Sequence, residues 1–345
     1  MIKNREWKEF ELAEVFNMRR GERQTEVSRK KGNIPYYSAS QTNNGVTDYV
    51  SNPSFIEKNC IVISTFCHAF WAENEFSASD EMTLISHKNL NRYNALIITK
   101  LITQNATKYG FNRKAFSNRL KYQKIMLPVT DRQEIDWNTL ESEGRNIIYT
   151  KEKRLIEYLG KRIDSIEELL SNKLITLENV QWKEFKIEDL FKCRRVKGKS
   201  IKKYNKGNIP YVSTSASNNG VIGFIDANDE DISESNTLTV NPITNAVFYQ
   251  TYEYVGRGNA GSSINELHSK YLNKYTGLFI VKMLEHATLS KTSYAIQLNG
   301  DRLRKAKLKL PVKNDLTPDW DFMEQYTMQL ELKKIKYLKS YLLNK

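Results

Sequence analysis

Two stretches of the chain carry apolar residues at helical spacing, and each begins at a tryptophan. After Trp137 the apolar positions recur in steps of three or four and form one stripe along a helix. That stripe comprises Leu155, Leu159, Ile163, Ile166, Leu170 and Leu174. After Trp320 the same spacing predicts a helix over 320–343, where apolar residues recur every three or four positions in two successive sets: Phe322, Tyr326 and Leu330, then Ile335, Leu338 and Leu342. Because an apolar stripe has to be covered, we predict that the two helices pair as an antiparallel coiled coil; the alternative is that each packs on its own globular unit.

Upstream of each long helix, the apolar pattern predicts both strands and helices. Residues 60–65 and 237–240 are short runs rich in β-branched side chains, as expected of buried strands. Residues 93–102 and 275–284 have apolar positions at helical spacing and precede a last strand that ends in Leu-Pro-Val. In another predicted strand, Pro35 indicates an edge strand or the start of a strand. The pattern therefore predicts two units that each mix α and β structure.

The two units are copies of one another. Residues 7–10 (Trp-Lys-Glu-Phe) recur at 182–185, and residues 32–36 (Gly-Asn-Ile-Pro-Tyr) recur at 207–211, so both matches are separated by 175 positions. Further matches pair Asn43-Asn44-Gly45-Val46 with Asn218-Asn219-Gly220-Val221, Leu127-Pro128-Val129 with Leu310-Pro311-Val312, and Asp136-Trp137 with Asp319-Trp320. The repeated Asn-Gly pair tolerates positive φ and predicts a turn between two strands. An internal repeat of this length fixes the architecture before any single motif is interpreted.

The copies diverge at one place. Residues 60–90 and 236–270 hardly align, although both follow the repeated turn. A shared scaffold that carries two divergent regions is expected of a protein whose two domains recognise different target sequences. We therefore predict an α+β chain of two pseudo-symmetric mixed α/β domains, each followed by a long helix, with the helices paired. The predicted boundaries are 1–138 for the first domain, 139–181 for a central spacer helix, 182–319 for the second domain and 320–345 for a C-terminal spacer helix.

Charge points to a polyanionic partner. The chain has 53 Lys and Arg against 40 Asp and Glu, a net charge of +13, and a pI near 9.3, which favours nucleic acid over a merely soluble basic protein. A helix of about 25 residues is nearly 40 Å long, which is close to one turn of B-DNA. Helices of this length would hold two DNA-binding domains on half-sites that lie one turn apart. Three cysteines and the absence of a run of about 18 apolar residues predict a cytoplasmic protein that neither crosses nor coats a membrane.

The sequence offers little for catalysis. Asn241-Pro242 lacks the second proline and the aromatic residue of a methyltransferase motif, and Gly198-Lys199-Ser200 lacks the earlier glycine of a P-loop. Glu184-Phe185-Lys186 has the spacing of a nuclease motif, but the equivalent Glu9-Phe10-Glu11 breaks it. A zinc site is not expected at Cys60, Cys67 and His68, because they offer only three ligands and their neighbours in the sequence are apolar. Packing in the core is the better interpretation of these residues. We predict no catalytic residue, no metal and no cofactor in this chain.

The layout resembles the specificity subunits of type I restriction-modification systems and of related multisubunit enzymes that cut on both sides of their site. The resemblance covers nearly the whole chain, and its most specific part is Ile-Pro-Tyr-x-Ser-x-Ser-x-x-Asn-Asn-Gly at 34–45 and again at 209–220. It implies that each domain is a target-recognition domain for one half of a bipartite site in double-stranded DNA. It also implies methyltransferase subunits as partners, with restriction subunits as further candidates; these would carry S-adenosylmethionine and also ATP and Mg²⁺.

The resemblance assigns the helices two roles, as spacers and as docking surfaces for those subunits. The residues implied are Leu155, Leu159, Ile163, Ile166, Leu170, Tyr326, Leu330, Ile335 and Leu338. The short tail after Trp320 leaves open how fully the second helix docks partners. Two alternatives remain open at this point: a nuclease with duplicated DNA-binding units, and an RNA-binding or decoy protein.

Candidate DNA contacts fall into two groups, because phosphate contacts give affinity and base contacts give sequence choice. The predicted phosphate contacts precede the Ile-Pro-Tyr strand and are Arg19, Arg20, Arg23, Arg29, Lys30 and Lys31, with Arg194, Arg195, Lys197, Lys199, Lys202, Lys203 and Lys206 in the second copy. The predicted base readers are Arg113, Lys114, Arg119, Arg257, Asn259, Arg302 and Arg304. The repeated serines and asparagines of the motif are assigned to turns and scaffold, because the two halves would have to read different bases.

Overall fold

The structure is a computed structural model that describes residues 5–170, 174–178, 180–258, 263–288, 298 and 300–344. It divides into two compact units, Met1–Leu155 (unit 1) and Ile156–Lys345 (unit 2). Both units mix helices with small sheets, as the apolar pattern predicts. Within the described ranges, every helix is too short or too polar to cross a membrane.

The strands of unit 1 are β1 (Trp7–Glu11), β2 (Asn17–Arg20), β3 (Lys31–Tyr37), β4 (Val46–Val50), β5 (Cys60–Ser64), β6 (Ala69–Ala72), β7 (Ser77–Ala78), β8 (Met82–Ser86) and β9 (Lys124–Pro128). They form three small sheets, with strand orders β1-β9, β2-β8-β5-β6 and β4-β3-β7. The helices of unit 1 are α1 (Leu12–Val15), α2 (Arg92–Thr103), α3 (Ser117–Leu120) and the start of α4 (Trp137–Leu169). The predicted buried strand at 60–65 and the predicted helix at 93–102 are confirmed as β5 and α2.

The strands of unit 2 are β10 (Trp182–Lys186), β11 (Lys192–Arg195), β12 (Lys206–Val212), β13 (Val221–Ile225), β14 (Thr237–Val240), β15 (Val247–Gln250), β16 (Val255–Gly256), β17 (Asn265–His268) and β18 (Lys307–Pro311). They repeat the topology of unit 1, with strand orders β10-β18, β11-β17-β14-β15 and β13-β12-β16. The helices of unit 2 are α5 (Ile187–Leu190), α6 (Lys274–Thr288), α7 (Gly300–Lys305) and α8 (Trp320–Leu343). The register repeats as well: Pro35 faces Tyr49, and Pro210 faces Phe224. The predicted duplication is therefore confirmed at the level of individual strand pairs.

The buried strands separate two apolar layers. In β5, Ile61 and Ile63 belong to a cluster with Ile98 of α2, whereas Val62 belongs to a second cluster with Tyr37 of β3. Successive side chains of a strand point to opposite faces, so β5 is covered on both sides. This explains why the sequence there is continuously apolar and does not alternate with polar residues.

The repeated prolines lie in the middle strand of their sheets, so the prediction of an edge strand was wrong. Strand β3 pairs with β4 on one side and with β7 on the other. The pairing with β7 begins only at Tyr36, one residue after Pro35. Proline is tolerated because the side of β3 that lacks an N–H donor has no partner strand at that position.

The long helices begin as predicted, and α8 has the predicted bounds 320–343. Asp136 and Asp319 accept hydrogen bonds from Thr139 N and Phe322 N, which caps both helices at the same place. In the stripe of α4, Leu159, Ile163 and Ile166 are buried. The helix ends at Leu169, so the predicted stripe member Leu174 lies beyond it and is exposed.

Within unit 2, the end of α4 and α8 pair in antiparallel order. The Leu169 carbonyl accepts from Gln325, whereas Arg162, earlier in α4, pairs with Glu331, later in α8. Ile166 shares a buried cluster with Met328, Leu332, Ile335 and Leu170. The predicted pairing is confirmed.

The residues that α8 contributes to this contact were predicted only in part. Ile335 is in the contact, but Leu330 and Leu338 are 43% and 39% exposed, and Leu155 of α4 is 39% exposed. The first turns of α8 pack on the globular core of unit 2 through Met323, Phe322 and Tyr326. The first turns of α8 pack on the globular core and its later turns pack on α4, so its contact face changes along its length. A single apolar stripe therefore describes neither contact fully.

Candidate nucleic-acid interface

A basic groove with a volume of about 580 Å³ lies on unit 1. It is formed by the end of β2, the segment that leads into β3, the turn between β7 and β8, and the segment before α3. Its lining residues are Arg20, Arg23, Gln24, Thr25, Glu26, Arg29, Tyr36, Ser38, Ser79, Asp80, Glu81, Lys114 and Phe116. The groove thus brings the predicted base reader Lys114 next to the predicted phosphate contacts Arg20 and Arg23.

Most cations of this groove are held by carboxylates of the same unit. Lys114 Nζ lies 2.8 Å from Glu81 Oε1, and Arg20 lies 3.6 Å from Asp80 Oδ2. The Arg20 guanidinium also lies 4.9 Å from the centre of the Phe116 ring, within the range of a cation–π contact. These contacts fix the cations in position and partly neutralise them.

Arg19 and Arg29 are held in the same manner. Arg19 is paired with Glu57 at 2.7 Å and with Glu22 at 3.3 Å. Arg29 is paired with Asp48 at 3.1 Å. By contrast, Arg23, Lys30 and Lys31 are exposed and have no ion pair with any residue that the structure describes.

The remaining predicted base readers of unit 1 lie elsewhere. Arg113 and Arg119 line a separate groove of about 680 Å³, beside β9 and with Tyr109 and Gln123. Arg119 donates to the Lys114 carbonyl at 2.8 Å. Neighbours in sequence are therefore divided between two grooves, and only Lys114 joins the basic stretch.

A buried tyrosine supports the basic segment in each unit. Burial raises the pKa of Tyr36 and Tyr211, so both hydroxyls remain protonated donors. Tyr36 donates to the Gln24 carbonyl, and Tyr211 donates to the Lys199 carbonyl, at the position equivalent to Gln24. Both units therefore contain this hydrogen bond to the backbone, but the residue that accepts it differs: it is Gln24 in unit 1 and Lys199 in unit 2.

In unit 2, Arg257 lies beside the basic segment. Its backbone bridges to Gly198, and its guanidinium donates to Thr214 Oγ1 at 3.3 Å. Arg257 directly follows the short strand β16, as Ser79 directly follows β7 in unit 1. The structure therefore places a different side chain at the same point of the same scaffold.

The other predicted contacts of unit 2 divide into three sets. Lys199 pairs with Asp231 at 3.4 Å. Exposed cations without an ion pair among the described residues are Arg194, Arg195, Lys197, Lys202, Lys203 and Lys206. Arg302 and Arg304 lie on α7, where Arg304 pairs with Asp301. Asn259 lies outside the described residues.

The repeated serines and asparagines form turns, as predicted. Ser40 Oγ accepts from Thr42 N at 3.1 Å, and Ser215 Oγ accepts from Ser217 N at 3.2 Å. Asn44 and Asn219 have φ of 53° and 55°. Their occurrence in both copies therefore reflects local geometry, which is the same in the two units.

Residues that suggested chemistry have structural roles in the fold. Glu184 pairs across the strands with Lys307 at 3.1 Å, and Glu9 pairs with Lys124 at 2.6 Å in the equivalent place. Burial raises the pKa of the Cys67 thiol to about 12, and this thiol donates to the Ile102 carbonyl at 3.4 Å. The predicted core packing of Cys67 is confirmed.

The sequence pattern did not reveal Ser79, Asp80 and Glu81 as part of the groove. They lie in the turn between β7 and β8, inside the stretch where the two copies fail to align. That loss of similarity was the one available signal, because it marked the region where the two units differ in side chains while sharing a scaffold.

The chain is similar to known proteins in sequence and in fold. The family described as "Type I restriction modification DNA specificity domain" matches residues 4–158 and again 179–340. The specificity subunit S.BcgI of a type II restriction enzyme from Heyndrickxia coagulans is 28% identical over 319 residues, which cover 90% of this chain and 89% of that protein. The crystal structure of the S subunit of a type I restriction-modification system from M. genitalium is 13% identical and has a TM-score of 0.50, covering 99% of this chain and 94% of that one. At that identity the likeness concerns the fold.

Proposed function

Because the chain belongs to the family of type I restriction modification DNA specificity domains, we propose that each unit reads one half of a bipartite site in double-stranded DNA. The chain is the specificity subunit of a restriction-modification system. In this proposal it selects the site, and its partner subunits carry out methylation and cleavage.

One observation carries this proposal: the two units share a scaffold and differ where the groove is lined. Arg29 packs on Tyr36 in unit 1, and the equivalent contact in unit 2 is made by Tyr204 on Tyr211. Ser79 is likewise replaced by Arg257 at the same point after a short strand. Identical scaffolds with unlike side chains suit two unlike half-sites, since side chains at base edges supply sequence choice.

The proposed contacts follow from exposure and partners. Arg23, Lys30 and Lys31 in unit 1 would bind phosphates, because they are exposed and unpaired among the described residues. Lys114 and Arg257 would approach base edges, since each is held by a contact within its own unit, and arginine can donate two hydrogen bonds to guanine. Fixed side chains discriminate between bases better than mobile ones, because their geometry is set before binding.

The helices would dock the partner subunits. In unit 2 a mostly apolar groove of about 730 Å³ is lined by Leu170, Tyr326, Leu330 and Leu332, which include three of the predicted docking residues. Methyltransferase subunits, with restriction subunits as further partners, would bind here in the cytoplasm. S-adenosylmethionine, with ATP and Mg²⁺ as further candidates, would be bound by those subunits, and this chain would be non-catalytic.

The test is selection of bound duplexes from a random pool by the purified chain, alone and with its methyltransferase subunit. We expect enrichment of two short, unlike half-sites at a fixed separation. A single continuous motif, or no enrichment in either format, would contradict the proposal. Cleavage of the pool by the isolated chain with Mg²⁺ would support a nuclease, and preference for single-stranded RNA would support an RNA-binding protein.

A variant assigns each half-site to its unit. Lys114→Ala removes the proposed base contact of unit 1 and should weaken selection of one half-site while leaving the other unchanged. Arg132→Ala, an exposed cation in the turn before α4, is the matched control and should leave both half-sites unchanged. Loss of both half-sites in the Lys114 variant would contradict the assignment of one half-site to each unit.

A further inference from the structure

The basic segments of the two units differ in charge although they share one backbone. Each connects the second strand of its unit to the Ile-Pro-Tyr strand and contains a short 3-10 turn, Glu26–Ser28 in unit 1 and Ile201–Lys203 in unit 2. Residues 19–31 contain six cations and two carboxylates, whereas residues 194–206 contain seven cations and no carboxylate. At the spacing of 175, Glu22 is replaced by Lys197.

The cations also differ in how they are held. In unit 1, Arg19, Arg20 and Arg29 are all in ion pairs, which leaves three unpaired cations in the segment. In unit 2, only Lys199 is in an ion pair with a described residue, which leaves six unpaired cations. All Asp and Glu residues of the chain lie within the described ranges, so this comparison includes every side-chain carboxylate that could neutralise these cations.

We propose that the segment 194–206 of unit 2 is the phosphate anchor of the protein, which supplies the larger part of its sequence-independent, salt-sensitive affinity for duplex DNA. In unit 1, Arg19, Arg20 and Arg29 contact DNA only where it replaces Glu22, Glu57, Asp80 or Asp48 as their partner, so the contribution of these three arginines depends more on fit. This inference rests on the proposed function and adds a division of roles between the two units.

The physical basis is the release of counterions. Each phosphate neutralised by a lysine or arginine changes the slope of log K against log salt by about −0.9. A cation already paired with a carboxylate gains less from a phosphate, because the existing ion pair has to be broken. Two unpaired lysines on the turn, Lys202 and Lys203, should therefore account for about 1.8 of the slope, which is roughly a tenfold difference in the affinity lost between 50 and 200 mM salt.

The equivalent positions in unit 1 are Val27 and Ser28, both exposed, which permits an exchange of side chains at constant net charge. The experiment compares Lys202→Val with Lys203→Ser, the reverse pair Val27→Lys with Ser28→Lys, and the fourfold exchange. Lys333→Gln with Lys334→Gln, two exposed cations of α8, controls for net charge alone. Binding to an unrelated 25-base-pair duplex is measured by fluorescence anisotropy at several salt concentrations, and melting temperature verifies folding.

We expect the Lys202 and Lys203 variant to bind unrelated and selected duplexes more weakly by the same factor and to lose about 1.8 from the slope. The fourfold exchange should recover the slope, and the α8 control should keep it. An unchanged slope in the Lys202 and Lys203 variant, or an equal loss in the α8 control, would overturn the inference. If the wild-type chain still selects two half-sites in that case, the proposed function stands and only the anchor is wrong.

Discussion

Arg162 of α4 and Glu331 of α8 form an ion pair within unit 2, with 2.9 Å between Nε and Oε1 and both side chains about three-quarters buried. Lys274 adds a second cation at 2.8 Å from Glu331 Oε2, and Arg162 also donates to the Tyr275 hydroxyl. The pair joins the end of one long helix to the middle of the other and to α6. Partial burial opposes ionisation of Glu331, but the hydrogen bonds from Arg162 and Lys274 outweigh it and lower the pKa of this carboxyl.

We predict that Glu331→Gln destabilises unit 2 by about 1.5–3 kcal/mol near pH 7, the magnitude expected of hydrogen bonds to charged groups. A folded-state pKa below the unfolded value, about 4.3, stabilises the fold above that value, and the stabilisation is lost as pH falls through the folded pKa. The difference from wild type should therefore shrink towards pH 3. Urea denaturation at pH 7 and at pH 3 measures it. Glu168→Gln, at an exposed position of α4, should change the midpoint little at either pH; a difference that is independent of pH would contradict the electrostatic explanation.

A buried polar network in unit 2 occupies the place of an apolar contact in unit 1. Tyr254 donates to Glu266 Oε1 at 2.9 Å, and His268 Nε2 lies 3.2 Å from Glu266 Oε2. The strand registers place Glu266 opposite Arg194 and Leu84 opposite Arg19, so Leu84 and Phe76 are the counterparts of Glu266 and Tyr254. Glu266 is only 4% exposed, so its charge depends on these partners.

Removing one partner of this network should destabilise unit 2 more than replacing both partners with the apolar residues found in unit 1. Glu266→Ala should destabilise unit 2 by about 3 kcal/mol, because it removes the acceptor of a buried hydroxyl. The double change Glu266→Leu with Tyr254→Phe copies unit 1 and should cost less than the sum of Glu266→Leu and Tyr254→Phe alone, with a coupling of about 1–3 kcal/mol. Hydrogen exchange of β14 and β17, compared with β5 and β8 in unit 1, measures the effect locally. Additive single changes would show that the hydrogen bond contributes no coupling.

The sequence predicted what periodicity and repetition determine, and it failed where distant segments converge. The duplication, the buried strand β5 and the bounds of α8 all follow from local patterns. The groove of unit 1 does not, because Lys114 and Arg20 are far apart in the sequence and come together only in the folded unit. The contact face of α8 was also predicted only in part. Met328 and Leu330 lie on different faces of one apolar helix, and only the position of α4 decides that Met328 is buried.

The repeated Asn-Gly turn makes a prediction about backbone strain. Gly45 has φ of +82°, and a Cβ there would lie 2.7 Å from Phe70 Cδ2. Gly45→Ala should therefore destabilise unit 1 by about 1–3 kcal/mol through both strain and contact. Gly110→Ala is the matched control, since nothing lies within 4 Å of its Cβ, and it should change stability by less than about 0.5 kcal/mol. Equal urea midpoints for the two variants would show that the turn relaxes without cost.

Arg257 provides the sharpest test of base recognition, because the same scaffold carries Ser79 in unit 1. We predict that Arg257→Ala lowers the preference for one or two base pairs of a single half-site by about 1–3 kcal/mol, the discrimination expected of one bidentate contact. Its effect on the salt slope should be no more than about 1. Selection from a random pool, followed by binding to duplexes with single base-pair changes, measures both quantities.

The matched variant is Arg304→Ala on α7, a second predicted base reader whose guanidinium pairs with Asp301. If Arg257 and not Arg304 reads bases, the Arg304 variant keeps the preference of the wild-type chain. If the preference changes in the Arg304 variant and persists in the Arg257 variant, the reading surface of unit 2 lies at α7, away from the basic segment. A uniform loss of affinity in the Arg257 variant, with all base preferences intact, would instead make Arg257 a phosphate contact and extend the anchor of unit 2 to β16.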